Sequence, residues 1–323
     1  MKLATTYGYL KKDLNQIEQA LEDTVKESQP VLHDASLQLI KAGGKRLRPV
    51  FAMLSSMFGD YQFDRVKNVA VSLELIHMAS LVHDDVIDDS NIRRGETTVK
   101  AKWDNQVAML TGDYIFSRAL EKFTEITEPR AHQLLSKTMI ELTSGEIEQI
   151  RDKYDLNQNF RTYLRRIRRK TALLISSSSQ LGAIVSHTSD LVEKALFRYG
   201  YNIGMSYQII DDILDFTGTE DQLGKPAGSD LLQGNITLPV IYALEDPYIK
   251  NELERIFTQK EEIEEKQLQP VIEQIAQSSA ITKARNVSDL YLKKAYDTLD
   301  DLPDVKAKNT LKKIANYIGS RKV

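Results

Sequence analysis

The sequence predicts an all-α fold on three observations. Only 8 prolines and 15 glycines punctuate 323 residues, so most of the chain is free to run as helix. Apolar residues recur at i, i+3 and i+4 in one segment after another. No run shows the strict alternation and β-branched enrichment of a strand. Roughly a dozen helices of ordinary length would account for the chain.

In chain order, Leu10, Leu14, Ile17, Leu21 and Val25 share one helix face. An apolar run over residues 69–82 predicts a buried helix that ends in aspartates. Leu134, Leu135, Met139, Ile140, Leu142 and Ile147 repeat at helical spacing. Residues 172–185 are the most apolar stretch, but four consecutive serines and Gln180 interrupt it, so it is not expected to span a membrane. Leu191, Ala195, Leu196 and Tyr199 open another helix, and residues 203–210 form a second apolar run ending in aspartates. Residues 218–234 hold four glycines and a proline and read as an active-site loop. The dense charges of residues 252–266 read as a solvated helix face. No linker divides the chain, which is read as one domain over residues 1–323.

Composition narrows the function. Lys plus Arg is 43 against 46 Asp plus Glu, a net charge of −3, which excludes general nucleic-acid binding. There is no cysteine, so disulfides, zinc thiolate sites and thiol nucleophiles are excluded. That, and the absence of an apolar signal core in residues 1–16, leads us to expect a cytoplasmic location.

The chemistry is carried by a repeated carboxylate motif. Asp84, Asp85 and Asp88 form DDVID, with Asp89 adjacent, and Asp211, Asp212 and Asp215 form DDILD. Residues i and i+4 lie on one helix face, so each motif crowds carboxylates within about one turn. Like charges at that spacing repel, and a purely structural role gives no reason to bear the cost twice. A divalent cation removes it, and Mg²⁺ is usually held by one or two carboxylates plus substrate phosphates. Cations lie nearby in sequence: Lys45, Arg46 and Arg48 in AGGKRLRP, Arg93 and Arg94 after the first motif, Lys170 and Lys225. A single one of these reads as a surface charge. Two arginines just beyond a carboxylate cluster point instead to a phosphorylated ligand bridged through metal. No P-loop, GxGxxG, HExxH or EF-hand spacing is present, and no GxSxG elbow supports a nucleophilic serine. By themselves, His77 reads as a core histidine and Ala79 and Ser80 as sites of close helix packing.

These pieces, in this order, resemble the trans-polyprenyl diphosphate synthases. The matching stretches are GGKRLRP (43–49), ELIHMASLVHDDVIDDSNIRRG (74–95), GDYIFSRA (112–119), KTALL (170–174), YQIIDDILDF (207–216) and GKPAGSDLLQGNITLPV (224–240). GNITLP makes the match similar to the larger, catalytic component of bacterial heteromeric heptaprenyl or hexaprenyl synthases. The resemblance implies an isoprenoid synthase-type helical bundle around a deep central cavity. It implies three Mg²⁺ ions, two held by Asp84, Asp85 and Asp88 and one by Asp211 with Asp212 and Asp215. It places Arg93, Lys170 and Lys225 on an allylic diphosphate, and Lys45, Arg48, His77 and Arg94 on isopentenyl diphosphate. Thr171 and Gln208 are expected near the developing carbocation. Ala79 and Ser80 are expected to set product length, because bulky residues there would stop growth early. Small residues imply a long product, of heptaprenyl length, for quinone side chains. A small non-catalytic partner subunit is expected, or else a homodimer. One departure stands out: the family's usual lysine in GKxTLP is Asn235.

Two rivals remain at this stage. A terpene cyclase generally lacks the second DDxxD and the GGKRLRP segment. A non-catalytic helical subunit would be expected to have lost aspartates, and none of the six is lost. The basic run 161–170 reads as a solvated face. A sharper expectation is that Arg165 and Arg166 meet an acidic partner or an anionic lipid surface in peripheral contact.

Overall fold

The structure is a computed structural model and describes residues 6–26, 29–93, 95–219, 226–258 and 263–321. The first half comprises α1 (Lys11–Val25), α2 (Pro30–Lys41), α3 (Leu47–Ser56), α4 (Phe63–Ile87), α5 (Asn105–Phe123) and α6 (Pro129–Arg151). The second comprises α7 (Phe160–Ile167), α8 (Leu173–Val185), α9 (Asp190–Thr217), α10 (Leu238–Ala243), α11 (Pro247–Thr258), α12 (Glu265–Gln277), α13 (Ser279–Asp300) and α14 (Lys306–Gly319). The only strands among the described residues are β1 (Ile92–Arg93) and β2 (Glu96–Thr97), an antiparallel hairpin beyond α4. The all-α expectation therefore stands.

Buried apolar faces make the bundle. Ile17, Leu21 and Val25 of α1 are fully buried, as their spacing predicts. Every residue of α3 except Arg48 is buried, so this helix is enclosed on all sides. In α8 only Gln180 escapes burial. Its four serines are tolerated because they bond within the helix layer. Ser176 donates to Leu173 O at 2.9 Å and Ser178 to Leu174 O at 2.7 Å, while Ser177 pairs with Thr138 of α6 at 2.8 Å. Gly182 brings α8 onto α3, since a Cβ there would lie 2.1 Å from Ala52 O. The long helix α9 joins the cores: Tyr199 and Ile203 enter the large one, and Phe216 enters the smaller one built by α10, α11 and α12.

The helical spacings hold, but three residues on them face outward, and one reading is corrected. Ile140 and Ile147, seven residues apart, share a face about 120–140° round α6 from Leu135 and are 65% and 63% exposed. Leu191 is likewise exposed, in the first turn of α9. Arg166 is buried and donates to Gln158 Oε1 at 2.6 Å and to Ile236 O, so it holds loops together inside the chain instead of forming part of a solvated face. Its neighbours Arg168 and Arg169 pair with Glu141, and Arg165 reaches Glu148 at 3.5 Å, which spends much of that basic run inside the chain.

Candidate active site

A cavity of about 1440 Å³ opens among α3, α4, α6, α8 and α9. Small-molecule sites are commonly about 300–1,000 Å³, so this one has room for more than one small substrate. Its mouth is polar and its depth is apolar. Asp84 and Asp88 line the mouth from α4, and Asp211, Asp212 and Asp215 line it from α9. Below them the walls are Ile76 and Ala79 of α4, Phe116 of α5, Met139 and Leu142 of α6, and Leu174 and Ile175 of α8. At 1.5 Å per residue, Ile76 lies about 12 Å beneath Asp84 along α4.

Helix geometry decides which aspartates face the cavity. Asp84 and Asp88 are one turn apart and share the cavity face; Asp88 Oδ1 accepts from Lys153 Nζ at 2.8 Å. Asp85 is rotated off that face and buried, accepting from Arg93 Nε at 2.7 Å. Asp89 has left the helix at φ 51° and pairs with Lys100. On α9, Asp211 Oδ1 accepts from Arg321 at 2.5 Å. Both oxygens of buried Asp212 are engaged, Oδ2 by the Tyr163 hydroxyl at 2.7 Å and Oδ1 by Gln208 Nε2 at 2.8 Å. Asp215 Oδ2 accepts from the backbone N–H of Asp230 at 3.2 Å.

Burial raises the carboxyl pKa of Asp84 and Asp211 above the ordinary range, despite Lys170 and Arg93 near the first and Arg321 at the second. Burial, then the Asp230 charge, pushes Asp212 up to about 7. A crowded set of carboxyls that resists losing its protons is a site short of positive charge.

Lys170 and Thr171 reach this site through a π-helical stretch, Arg168–Ala172, between α7 and α8. The wider turn presents both to the cavity. Lys170 Nζ donates to Gln149 Oε1 at 2.9 Å, and Thr171 Oγ1 to Gln208 Oε1 at 2.6 Å. Lys45, Arg48 and His77 line the cavity beside Tyr207. Lys45 Nζ sits 5.4 Å above that ring and the Arg321 guanidinium 4.9 Å from it. Arg46 turns away at φ 45° and binds Glu18 and Glu74. Ala79 and Ser80 both line the wall. Arg94 and Lys225 lie outside the described residues.

Sequence reasoning missed Glu146, Gln149, Lys153, Tyr163, Asp230 and Arg321. Glu146 and Gln149 had a signal: they sit three apart on α6 facing the cavity, and burial with Asp84 and Asp88 nearby raises the Glu146 carboxyl pKa. Arg321 had none, because only folding brings the chain end to Asp211.

Among the described residues, no three acidic or histidine side chains converge tightly enough to hold a metal alone. The facing carboxylates of α4 and α9 fit ions that complete their shells with phosphate oxygens and water. The polyprenyl synthetase family profile matches residues 29–275. The chain belongs to the polyprenyl synthetase family. It is thus a prenyltransferase that elongates prenyl chains. It is 57% identical over 322 residues to heptaprenyl diphosphate synthase component 2 of Bacillus subtilis, covering 100% of this chain and 92% of that protein. The crystal structure of heptaprenyl diphosphate synthase from Staphylococcus aureus superposes with a TM-score of 0.92 at 44% identity, covering 97% of this chain and 99% of that one. A polyprenyl synthase from Caulobacter crescentus, complexed with calcium and isoprenyl diphosphate, gives a TM-score of 0.94 at 30% identity over 100% of this chain and 98% of that one. Among the described residues, no helix of this polyprenyl synthetase is long and apolar enough to cross a membrane.

Proposed function

We propose that the chain is the catalytic component of a heptaprenyl diphosphate synthase. It condenses isopentenyl diphosphate onto an allylic diphosphate such as farnesyl diphosphate, acts in the cytoplasm as one unit over residues 1–323, and supplies quinone side chains. The observation that carries this reading is a polar mouth with two facing carboxylate sets above an apolar shaft. A chemistry that starts on diphosphates and ends in a long hydrocarbon needs both halves.

Asp84, Asp88 and Asp211 are the residues placed to hold Mg²⁺, with Asp212 and Asp215 behind them and Asp85 steadied by Arg93. Bound there with diphosphate, Mg²⁺ ions, three by family resemblance, would supply positive charge for the leaving oxygen. The rest falls to this chain's own groups. Lys170, Arg93 and Lys225 hold the allylic diphosphate, while Lys45, Arg48, His77 and Arg94 hold isopentenyl diphosphate. The allylic C–O bond breaks and its electron pair leaves with diphosphate. Oxygens of Thr171 and Gln208 face the cation that remains. The isopentenyl double bond supplies the electrons of the new C–C bond, and the released diphosphate takes the proton that this bond expels. The apolar wall keeps water from the cation.

A partner subunit fits the same reading. The relative of 57% identity is named component 2, which implies a further component. On this chain Leu110 of α5 and Ile140 and Ile147 of α6 are exposed, and Ile147 borders the cavity. That apolar face suits a second chain of different sequence.

The test is to incubate the chain with farnesyl and isopentenyl diphosphates and Mg²⁺, with and without the candidate partner, and to chromatograph the products. Heptaprenyl diphosphate is expected with the partner present. Asp84→Ala or Asp211→Ala should lower turnover by several orders of magnitude while the helical content holds. A cyclised product, or turnover undiminished by chelation, would overturn the reading.

A further inference from the structure

Residues 230–237, on the other side of the mouth, contribute no cation. From residues 230–237 the cavity is lined by Asp230, Gln233, Asn235 and Thr237. Asn235 Oδ1 is buried without a hydrogen-bond donor, so this position offers an acceptor where a diphosphate would call for positive charge. The loop after α6 runs beside this wall. Tyr154 N–H donates to Gly234 O at 2.8 Å, and the Tyr154 hydroxyl donates to Leu232 O at 3.3 Å. The residue before Tyr154 is Lys153. Its ammonium reaches Asp88, a residue of the mouth, with Nζ 2.8 Å from Oδ1 and both side chains mostly buried. Its charge is also felt by Glu146 inside the cavity.

We propose that Lys153 is a diphosphate-binding residue, contributed by the loop after α6, that exchanges Asp88 for the substrate as metal enters. The inference rests on the synthase reading and adds a residue to it. An ammonium and a divalent cation at the same carboxylate repel each other. A divalent cation held at Asp88 would displace Lys153 from it. The nearest anion it can then meet is the diphosphate that the ion carries, and a lysine follows it readily because its stem is long and its charge compact. Pairing of Tyr154 with Gly234 fixes the base of that stem against residues 230–237, which contribute no cation. Lys153 thus supplies from a neighbouring loop the charge missing at Asn235.

The two halves of this exchange move in opposite directions when the lysine is removed. In Lys153→Gln, Mg²⁺ alone should bind several-fold tighter by titration calorimetry, because Asp88 has lost its competitor. Inorganic diphosphate at saturating Mg²⁺ should bind about tenfold weaker, and KM for farnesyl diphosphate should rise about tenfold with a smaller change in kcat. Lys153→Arg should keep most of the diphosphate affinity. Adding Asn235→Lys to Lys153→Gln should restore it, since the charge returns to the same wall. If both ligands weaken together, Lys153 only holds Asp88 in place and the proposal fails. It fails equally if neither affinity moves, or if Asn235→Lys rescues nothing. These titrations judge Lys153 without turnover, whereas failure of the wild-type chain to make a prenyl product would count against the synthase reading itself.

Discussion

Asp212 shows how much of a site lies in what surrounds a residue. Its carboxyl is enclosed by Tyr163, Gln208 and the nearby charge of Asp230, and is pushed up to about 7 by burial first. An unfolded aspartate titrates near about 3.9, so the folded chain holds this proton more tightly. The stability this contributes is fully present below about pH 4 and is lost as pH rises through about 7. Asp84, Asp85, Asp211 and Glu146 shift in the same direction, so their contributions add in sign. With chelator present, the melting temperature should therefore fall between pH 5 and 7.5. Asp212→Asn should flatten that fall, and Mg²⁺ with inorganic diphosphate should reverse it at pH 7.5. A melting temperature that climbs over this range in chelator would refute the assignment. The six aspartates were legible in sequence because their spacing is local. Which of them face the cavity was partly legible, since helix geometry puts Asp84 over Asp88 and turns Asp85 aside. Tyr163, Asp230 and Arg321 were not, because each reaches the motifs from a distant segment.

At the scale of elements, α4 is both wall and ruler of the shaft. Ala79 is buried on the cavity lining one turn below the first motif, and the lining continues to Ile76. A ring at this position has no spare volume to enter except the shaft itself. Ala79→Phe should therefore shorten the product to farnesyl or geranylgeranyl diphosphate with metal dependence retained. A folded, active variant that still makes the full-length chain would show that the shaft runs elsewhere. The π-helical stretch before α8 is a second device, and it depends on its neighbour. A Cβ at Gly204 of α9 would lie 2.5 Å from Ala172 Cα, so only glycine lets α9 pack against the widened turn. Gly204→Ala should destabilise the fold by about 1–3 kcal/mol and displace Lys170 and Thr171. Denaturant unfolding and the KM for the allylic substrate should both register it, and a variant equal to wild type in both would remove the π-helical stretch from the account. Helix existence was legible from period alone. The π-helical stretch was not, because α8 beyond it is buried on every side and carries no apolar stripe whose phase could mark the extra residue.

Over the whole molecule, the helical period also told less than it promised. Ile140 and Ile147 keep step with each other but lie about 120–160° round α6 from Leu135 and Leu142, and the spacing alone does not say whether that second stripe faces the core or another chain. The structure separates them: Leu135 is buried, while Ile140 and Ile147 are exposed, as is Leu110 of α5. Ile147 also borders the cavity, so whatever covers this face stands beside the growing hydrocarbon. Exposed aliphatic groups carry a standing cost of about 25 cal/mol per Å², which association removes. The chain's own net charge is only −3, too small to repel a partner at physiological salt. Leu110 and Ile140 do not line the cavity, so they can be changed without touching the chemistry. The double variant Leu110→Lys, Ile140→Lys should keep its helical content and its Mg²⁺ binding. In size-exclusion chromatography with the candidate partner it should no longer co-elute, and its long-chain output should fall toward that of the chain assayed without the partner. Co-elution unchanged from wild type would place the partner on another surface. A wild-type chain that is a dimer alone, and a double variant that is a monomer, would give this face to a second copy instead.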